Sequence, residues 1–197
     1  MIIKAGRRAI DEAVKILKKG GLVIYPSESS YGIGCDATNE KAVKRIFSVK
    51  KRSGKAIPII VSSIRMAEKY AFLSDDAKKI AERLMPGPLT LVVKKKNLPD
   101  SLSKETVGFR IPSHNFSVKL ATSFGKPITA TSANLSGNKP IYSIEEVIKL
   151  FSNNVDLIID AGTLPKNKPT TVFDAGSRKI LRRGPVTKKE IISALKL

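Results

Sequence analysis

The sequence predicts an α/β domain built on a mixed β-sheet. Three observations carry that expectation. Helical and strand spacings of apolar residues alternate along the whole chain, and capping residues stand where the helical patterns begin. The strand patterns near 171–173 and 180–181 are also too close for a parallel crossover, so part of the pairing must be antiparallel.

Taken in order, Ile10, Ala13, Val14 and Leu17 recur at helical spacing, and Gly20-Gly21 follow where such a helix would stop. Leu22 to Tyr25 then reads as a short buried strand. Asn39 can cap a second helix with Ala42, Val43, Ile46 and Phe47 on one face, ending near Lys50-Lys51-Arg52; Ile57 to Val61 reads as the next strand. Ser63 and Ser74 can cap two short helices. Leu89 to Val93, Val107 to Ile111, Pro127 to Thr131, Val155 to Ile159, Thr171 to Phe173 and Ile180-Leu181 supply further strands, with helices predicted over 115–124 and 143–151. Ser143 with Glu146 and Thr187 with Glu190 have capping-box spacing. No repeat, low-complexity tract or linker interrupts the pattern, so residues 1–197 are expected to form one domain. Thr163 to Thr170, with two prolines and two lysines, is expected to be a mobile loop.

Composition excludes several classes. No apolar run approaches the roughly 20 residues of a membrane helix, and the N-terminus lacks the apolar core of a secretory signal, which points to the cytoplasm. Cys35 is the only cysteine and His114 the only histidine, so neither a disulfide framework nor a Cys/His zinc cluster can form within one chain. Thirty-six Lys and Arg against 17 Asp and Glu give a charge of +19, a field that attracts nucleotides or nucleic acid and equally suits a solvated, soluble surface.

Neither the phosphate-binding pattern G-x-x-x-x-G-K-[ST] nor the zinc-protease pattern H-E-x-x-H occurs. Gly32 to Ala37 has dinucleotide-like spacing, but Pro26 to Tyr31 separates it from the strand and no acid follows about 20 residues on. The stretch Tyr25 to Gly34 combines serines, one carboxylate and two glycines beside a proline; it can wrap a small polar ligand or form an ordinary turn. Lys50 and Arg52 either meet phosphates or answer a helix dipole. In Thr106 to His114, strand alternation puts Arg110 with Gly108 and opposite Phe109, so a guanidinium stands over a bare surface, suited to a carboxylate or to one of the chain's acids. Thr129 to Gly137 places hydroxyls and an amide at a strand's C-terminal end, and Arg182-Arg183 precede a turn where an anion can bind.

Read in order from Pro26 to Gly184, these segments resemble the YrdC/threonylcarbamoyl-AMP synthase family, whose signatures are P-T-E-T-x-Y-G-L-G, K-x-R, P-G-P-x-T, V-x-x-R-x-P, S-A-N-x-S-G, S-T-V and L-R-x-G. The resemblance implies a YrdC-like single domain, a twisted mixed sheet with flanking helices and a basic concave face. It implies a nucleotidyltransferase that uses L-threonine, bicarbonate and ATP, with Mg²⁺ carried on the ATP, to form threonylcarbamoyl-AMP and pyrophosphate for threonylcarbamoyladenosine modification of tRNA. Carried over position by position, Ser29, Arg110, Ala130 and Thr170 face the threonine and bicarbonate. Lys50 and Arg52 are the catalytic pair on the phosphates, and Thr106, Ser132, Asn134 and Arg182 complete the nucleotide site. A tRNA or a tRNA-modifying protein complex is the implied partner. Serines at 27 and 29 replace threonines, Ser53 replaces a proline, and Ser62 stands where many members carry a histidine. The chain resembles the short form that lacks an extra C-terminal domain. A non-catalytic double-stranded RNA, tRNA or ribosome-maturation binding protein is the alternative that the charge alone would satisfy.

Overall fold

The computed structural model describes residues 1–51, 54 and 56–196. The chain opens with strand β1 (Ile2–Lys4), helix α1 (Arg7–Lys18), strands β2 (Val23–Pro26) and β3 (Tyr31–Gly34), and α2 (Glu40–Val49). Next come β4 (Ile59–Ile60), α3 (Ile64–Ala67), β5 (Ala71–Phe72), α4 (Asp75–Leu84), β6 (Leu89–Lys95) and β7 (Thr106–Arg110). The remainder is α5 (Asn115–Phe124), β8 (Ile128–Thr129), β9 (Thr131–Ser132), α6 (Ile144–Phe151), β10 (Leu157–Asp160), β11 (Thr171–Asp174), β12 (Lys179–Arg182) and α7 (Lys188–Leu195).

The helix starts follow from their caps. Asn39 Oδ1 accepts from the Ala42 N–H at 3.1 Å, Ser63 Oγ from Met66 at 3.1 Å and Ser74 Oγ from Ala77 at 3.2 Å. The box at Thr187 and Glu190 is complete. The Ser143 box is only half formed: Ser143 Oγ accepts from the Glu146 N–H but donates to the Glu145 carboxylate, so Glu146 does not close it.

The strands form two mixed sheets rather than one. The first has the order β1-β10-β2-β3-β9, parallel from β1 to β2 and antiparallel from β2 to β9. The second has the order β12-β11-β6-β7-β4-β8, with β5 also pairing β6. In it β11 and β12 are antiparallel, as their spacing predicts, whereas β11 and β6 are parallel. The strand predicted over 127–131 is divided: β8 belongs to the second sheet, β9 to the first, and only Ala130 lies between them.

One apolar cluster joins Ile33, Ile59, Leu91, Phe109 and Phe173 to helices α2, α4 and α7; a second packs Ala13 and Leu17 of α1 and Leu120 of α5 against Val23, Leu157 and Ile159. Strands β1 and β3 were not predicted. β1 is short and exposed at both ends, and β3 carries two glycines, yet pairing on both edges holds Tyr31–Gly34 extended. At Gly34 a Cβ would lie 2.8 Å from both the Thr129 carbonyl oxygen and the Tyr25 ring, so only glycine lets these strands close. Among the described residues no helix is long and apolar enough to cross a membrane.

Candidate active site

Three adjacent strands of the second sheet build the floor of a cavity of about 480 Å³. Period-two alternation sends Leu89, Leu91 and Val93 of β6, and Val107 and Phe109 of β7, into the core. The intervening Thr90, Val92, Thr106, Gly108 and Arg110 therefore face the cavity, and Val172 of β11 joins them beside Thr90. The first sheet supplies the facing wall through Tyr25, Gly32 and Ser132.

At one end, Arg110 Nη1 donates to Glu28 Oε1, and both side chains are mostly buried, at 9% and 15% exposure. The turn carrying Glu28 is tied by Ser27, whose Oγ donates to the Ser30 carbonyl at 2.7 Å and accepts from the Ser29 N–H at 3.4 Å. Ser29 thereby lines the cavity. Burial lowers the His114 pKa below its ordinary value and raises that of the Tyr25 hydroxyl, so both are neutral near pH 7. Burial also pushes the Cys35 thiol up to about 12, which removes it as a nucleophile.

At the other end, Arg182 Nε donates to the Thr170 carbonyl at 3.0 Å and its Nη2 to Thr170 Oγ1 at 2.9 Å; Thr170 Oγ1 also lies 2.9 Å from Thr90 Oγ1. Burial, and secondarily the charge of Arg110, lower the Arg182 pKa, as expected of two guanidinium groups sharing one cavity. The segment 163–170, expected to be a mobile loop, forms a wall through Asn167, Pro169 and Thr170, and Asn167 Nδ2 donates to the Glu28 carbonyl at 2.8 Å.

The structure gathers Ser29, Arg110, Ala130 and Thr170 around this one cavity. Thr106, Ser132 and Arg182 also line it. Lys50 and Asn134 are not on its surface. Lys50 is buried, and its Nζ donates to the Ser132 carbonyl and, at 2.6 Å, to the Asn134 carbonyl. Asn134 Nδ2 closes its own loop onto the carbonyls of Leu135 at 2.9 Å and Asn138 at 2.7 Å. Arg52 and Ser53 lie outside the described residues. Ser62 bonds Met66 Sδ at 3.8 Å and is not part of the cavity wall. Sequence reasoning missed Thr90, Tyr142 and Asn167 as wall residues. For Thr90 the signal was present, since alternation with Leu89 and Leu91 puts it on the opposite face; Tyr142 and Asn167 sit in loops that no periodicity marks.

Among the described residues the wall has no carboxylate, histidine or thiol, and its fixed charges are guanidinium groups. This defines a class first: an anion-receiving α/β protein whose chemistry would rest on positioning and charge neutralisation rather than on proton shuttling. The chain belongs to the Sua5/YciO/YrdC family, whose model, described as "Telomere recombination", matches residues 15–184. The threonylcarbamoyl-AMP synthase of Psychromonas ingrahamii is 36% identical over 191 residues, covering 92% of this chain and 100% of that protein. The crystal structure of P. abyssi Sua5 complexed with L-threonine superposes with a TM-score of 0.92 at 33% identity, covering 100% of this chain and 61% of that one. This chain thus spans about three-fifths of the Sua5 length. The crystal structure of E. coli YciO aligns with a TM-score of 0.85 at 29% identity over 97% of both chains.

Proposed function

We propose that this protein is an L-threonylcarbamoyladenylate synthase that forms threonylcarbamoyl-AMP and pyrophosphate from L-threonine, bicarbonate and MgATP for the modification of tRNA. The observation that carries the reading is the meeting of Arg110 and Arg182, from strands far apart in sequence, in one cavity walled by hydroxyls. The names of the synthase from P. ingrahamii and of the threonine-bound Sua5 support the same reading.

In this reading Arg110 receives the threonine carboxylate, with Ser29, Ala130 and Thr170 around the rest of the amino acid. Bicarbonate carboxylates the threonine amine, and water leaves. A carbamate oxygen then attacks the α-phosphorus of ATP, and the bond from that phosphorus to the bridging oxygen of the pyrophosphate breaks. Thr106, Ser132, Asn134 and Arg182 hold the nucleotide, with Lys50 and Arg52 on the phosphates as the catalytic pair. Lys50 reaches them by exchanging a carbonyl partner for a phosphate oxygen. Holding two anions in line and offsetting their charge supplies most of the acceleration such a step needs. Among the described residues the cavity wall offers no carboxylate, which fits a Mg²⁺ that arrives coordinated by the phosphates as part of the substrate. The reading takes residues 1–197 as one cytoplasmic domain that hands its adenylate to a tRNA-modifying partner.

A pyrophosphate-release assay tests it. Release should require threonine and bicarbonate together; release indifferent to either, or none alongside tight RNA binding, would favour the non-catalytic reading.

A further inference from the structure

Arginine carries a flexible side chain, and a buried guanidinium is held in one orientation only when a fixed acceptor takes one of its N–H groups. Arg110 is 8% exposed, and the one hydrogen-bond partner of its guanidinium among the described residues is Glu28 Oε1. Glu28 itself does not line the cavity. Its second oxygen, Oε2, is buried and has no hydrogen-bond partner among the described residues, so no second hydrogen bond there draws the carboxylate elsewhere. The main chain of Glu28 is fixed on both sides, by the Ser27 to Ser30 bond at 2.7 Å and by Asn167 Nδ2 on its carbonyl at 2.8 Å.

We propose that Glu28 is a positioning residue for Arg110: from behind the guanidinium it fixes one edge, so that the other edge faces the cavity ready for a ligand carboxylate. This rests on the reading above that Arg110 receives the carboxylate of an amino acid. The groups that face the pair do not compete for it. The His114 imidazole and the Tyr25 hydroxyl are neutral near pH 7, and the Arg182 guanidinium is engaged by Thr170. The tether is geometric, so it needs an acceptor at the Oε1 position more than it needs a negative charge.

Calorimetry on the full chain separates this from other roles, titrating wild type, Glu28→Gln and Glu28→Ala with L-threonine, L-threoninamide and a non-hydrolysable ATP analogue. A glutamine oxygen can still accept from Nη1, so Glu28→Gln should bind threonine within about threefold of wild type. Glu28→Ala should bind it about tenfold to a hundredfold more weakly, the loss expected for one charge-assisted hydrogen bond. Its affinity for the nucleotide, and for threoninamide, which lacks the carboxylate, should stay within about twofold. If Glu28→Ala does not fold, Glu28→Asp serves in its place, since its shorter side chain can meet Nη1 only by dragging the guanidinium off its line. Tighter threonine binding in either variant would mean that Glu28 competes with the ligand, and equal losses for threonine and nucleotide would mean general damage; each overturns the proposal. Wild-type threonine affinity in Glu28→Ala overturns it alone, whereas a wild type blind to threonine brings down the functional reading and this proposal with it.

Discussion

Replacing Gly184 by alanine perturbs the cavity without touching a charged or polar side chain. A Cβ there would lie 2.4 Å from Thr171 N, 2.5 Å from the Pro169 carbonyl oxygen and 2.6 Å from Thr170 C, all backbone atoms that cannot swing aside. Gly184 lies outside the left-handed region, so the cost is one of contact and not of torsion. Carbon contacts settle near about 3.5–4 Å, so the stretch 169–171 must retreat by roughly 1 Å. That retreat strains the bond from Thr171 N to the Pro88 carbonyl at 2.9 Å and the bonds that bind Thr170 to Arg182 and Thr90, at 2.9–3.0 Å. Overpacking costs about 1–3 kcal/mol, and partial weakening of the four hydrogen bonds adds about 1–2 in all, for a loss of roughly 2–5 kcal/mol. With a urea slope of about 2 kcal/mol/M, the unfolding midpoint should fall by roughly 1–2.5 M. Threonine should also bind more weakly, because Thr170 moves with the strand. A variant with the wild-type midpoint would refute the packing argument.

Other perturbations read the site from different sides. Arg110→Met strands the buried Glu28 carboxylate and should cost about 3–5 kcal/mol in urea unfolding, with part recovered in the Glu28→Gln/Arg110→Met double variant; calorimetry should lose the threonine signal and keep the nucleotide signal. Undiminished threonine binding would remove Arg110 from the carboxylate's place. Burial holds His114 below its ordinary 6.5, so the unfolded chain takes up that proton first as the pH falls. This contribution to stability is whole above about pH 7 and is lost as the pH drops through 6.5 toward the folded value. His114→Asn should therefore lose less stability than wild type between about pH 7 and pH 5, and identical slopes in thermal melts would contradict the assignment. Ser29→Ala should raise the threonine concentration for half-maximal pyrophosphate release by about tenfold or less, the scale of one neutral hydrogen bond; no change would place that hydroxyl away from the amino acid.

Much of this was legible from local pattern. The caps at Asn39, Ser63 and Ser74 and the antiparallel pair β11–β12 follow from side-chain chemistry and spacing that act within a few residues. The facing of Arg110 away from Phe109 needed only the two-residue period of a strand. What could not be read depended on partners distant in sequence. Lys50 stands in a run of cations that reads as answering a helix dipole or meeting phosphates, yet its ammonium is buried beneath the 132–134 backbone, some eighty residues on. Glu28 shows in the sequence only as one acid among serines; its pairing with Arg110 is set by how the turn meets β7. β3 hides behind its glycines, whose presence is explained only by the closeness of Tyr25 and Thr129.

The short passage through Ala130, from β8 to β9, joins the two sheets and lies in the cavity wall, with the Ala130 N–H donating to the Pro58 carbonyl at 2.7 Å. Lodged at that seam, the binding surface has no hinge of its own there. Prying the sheets apart would unzip β4 from β8 or β3 from β9, and the ligand's berth would disappear in the same motion. Lengthening this stretch would consequently rewrite both walls at once, whereas insertions in the outer loops leave the seam alone.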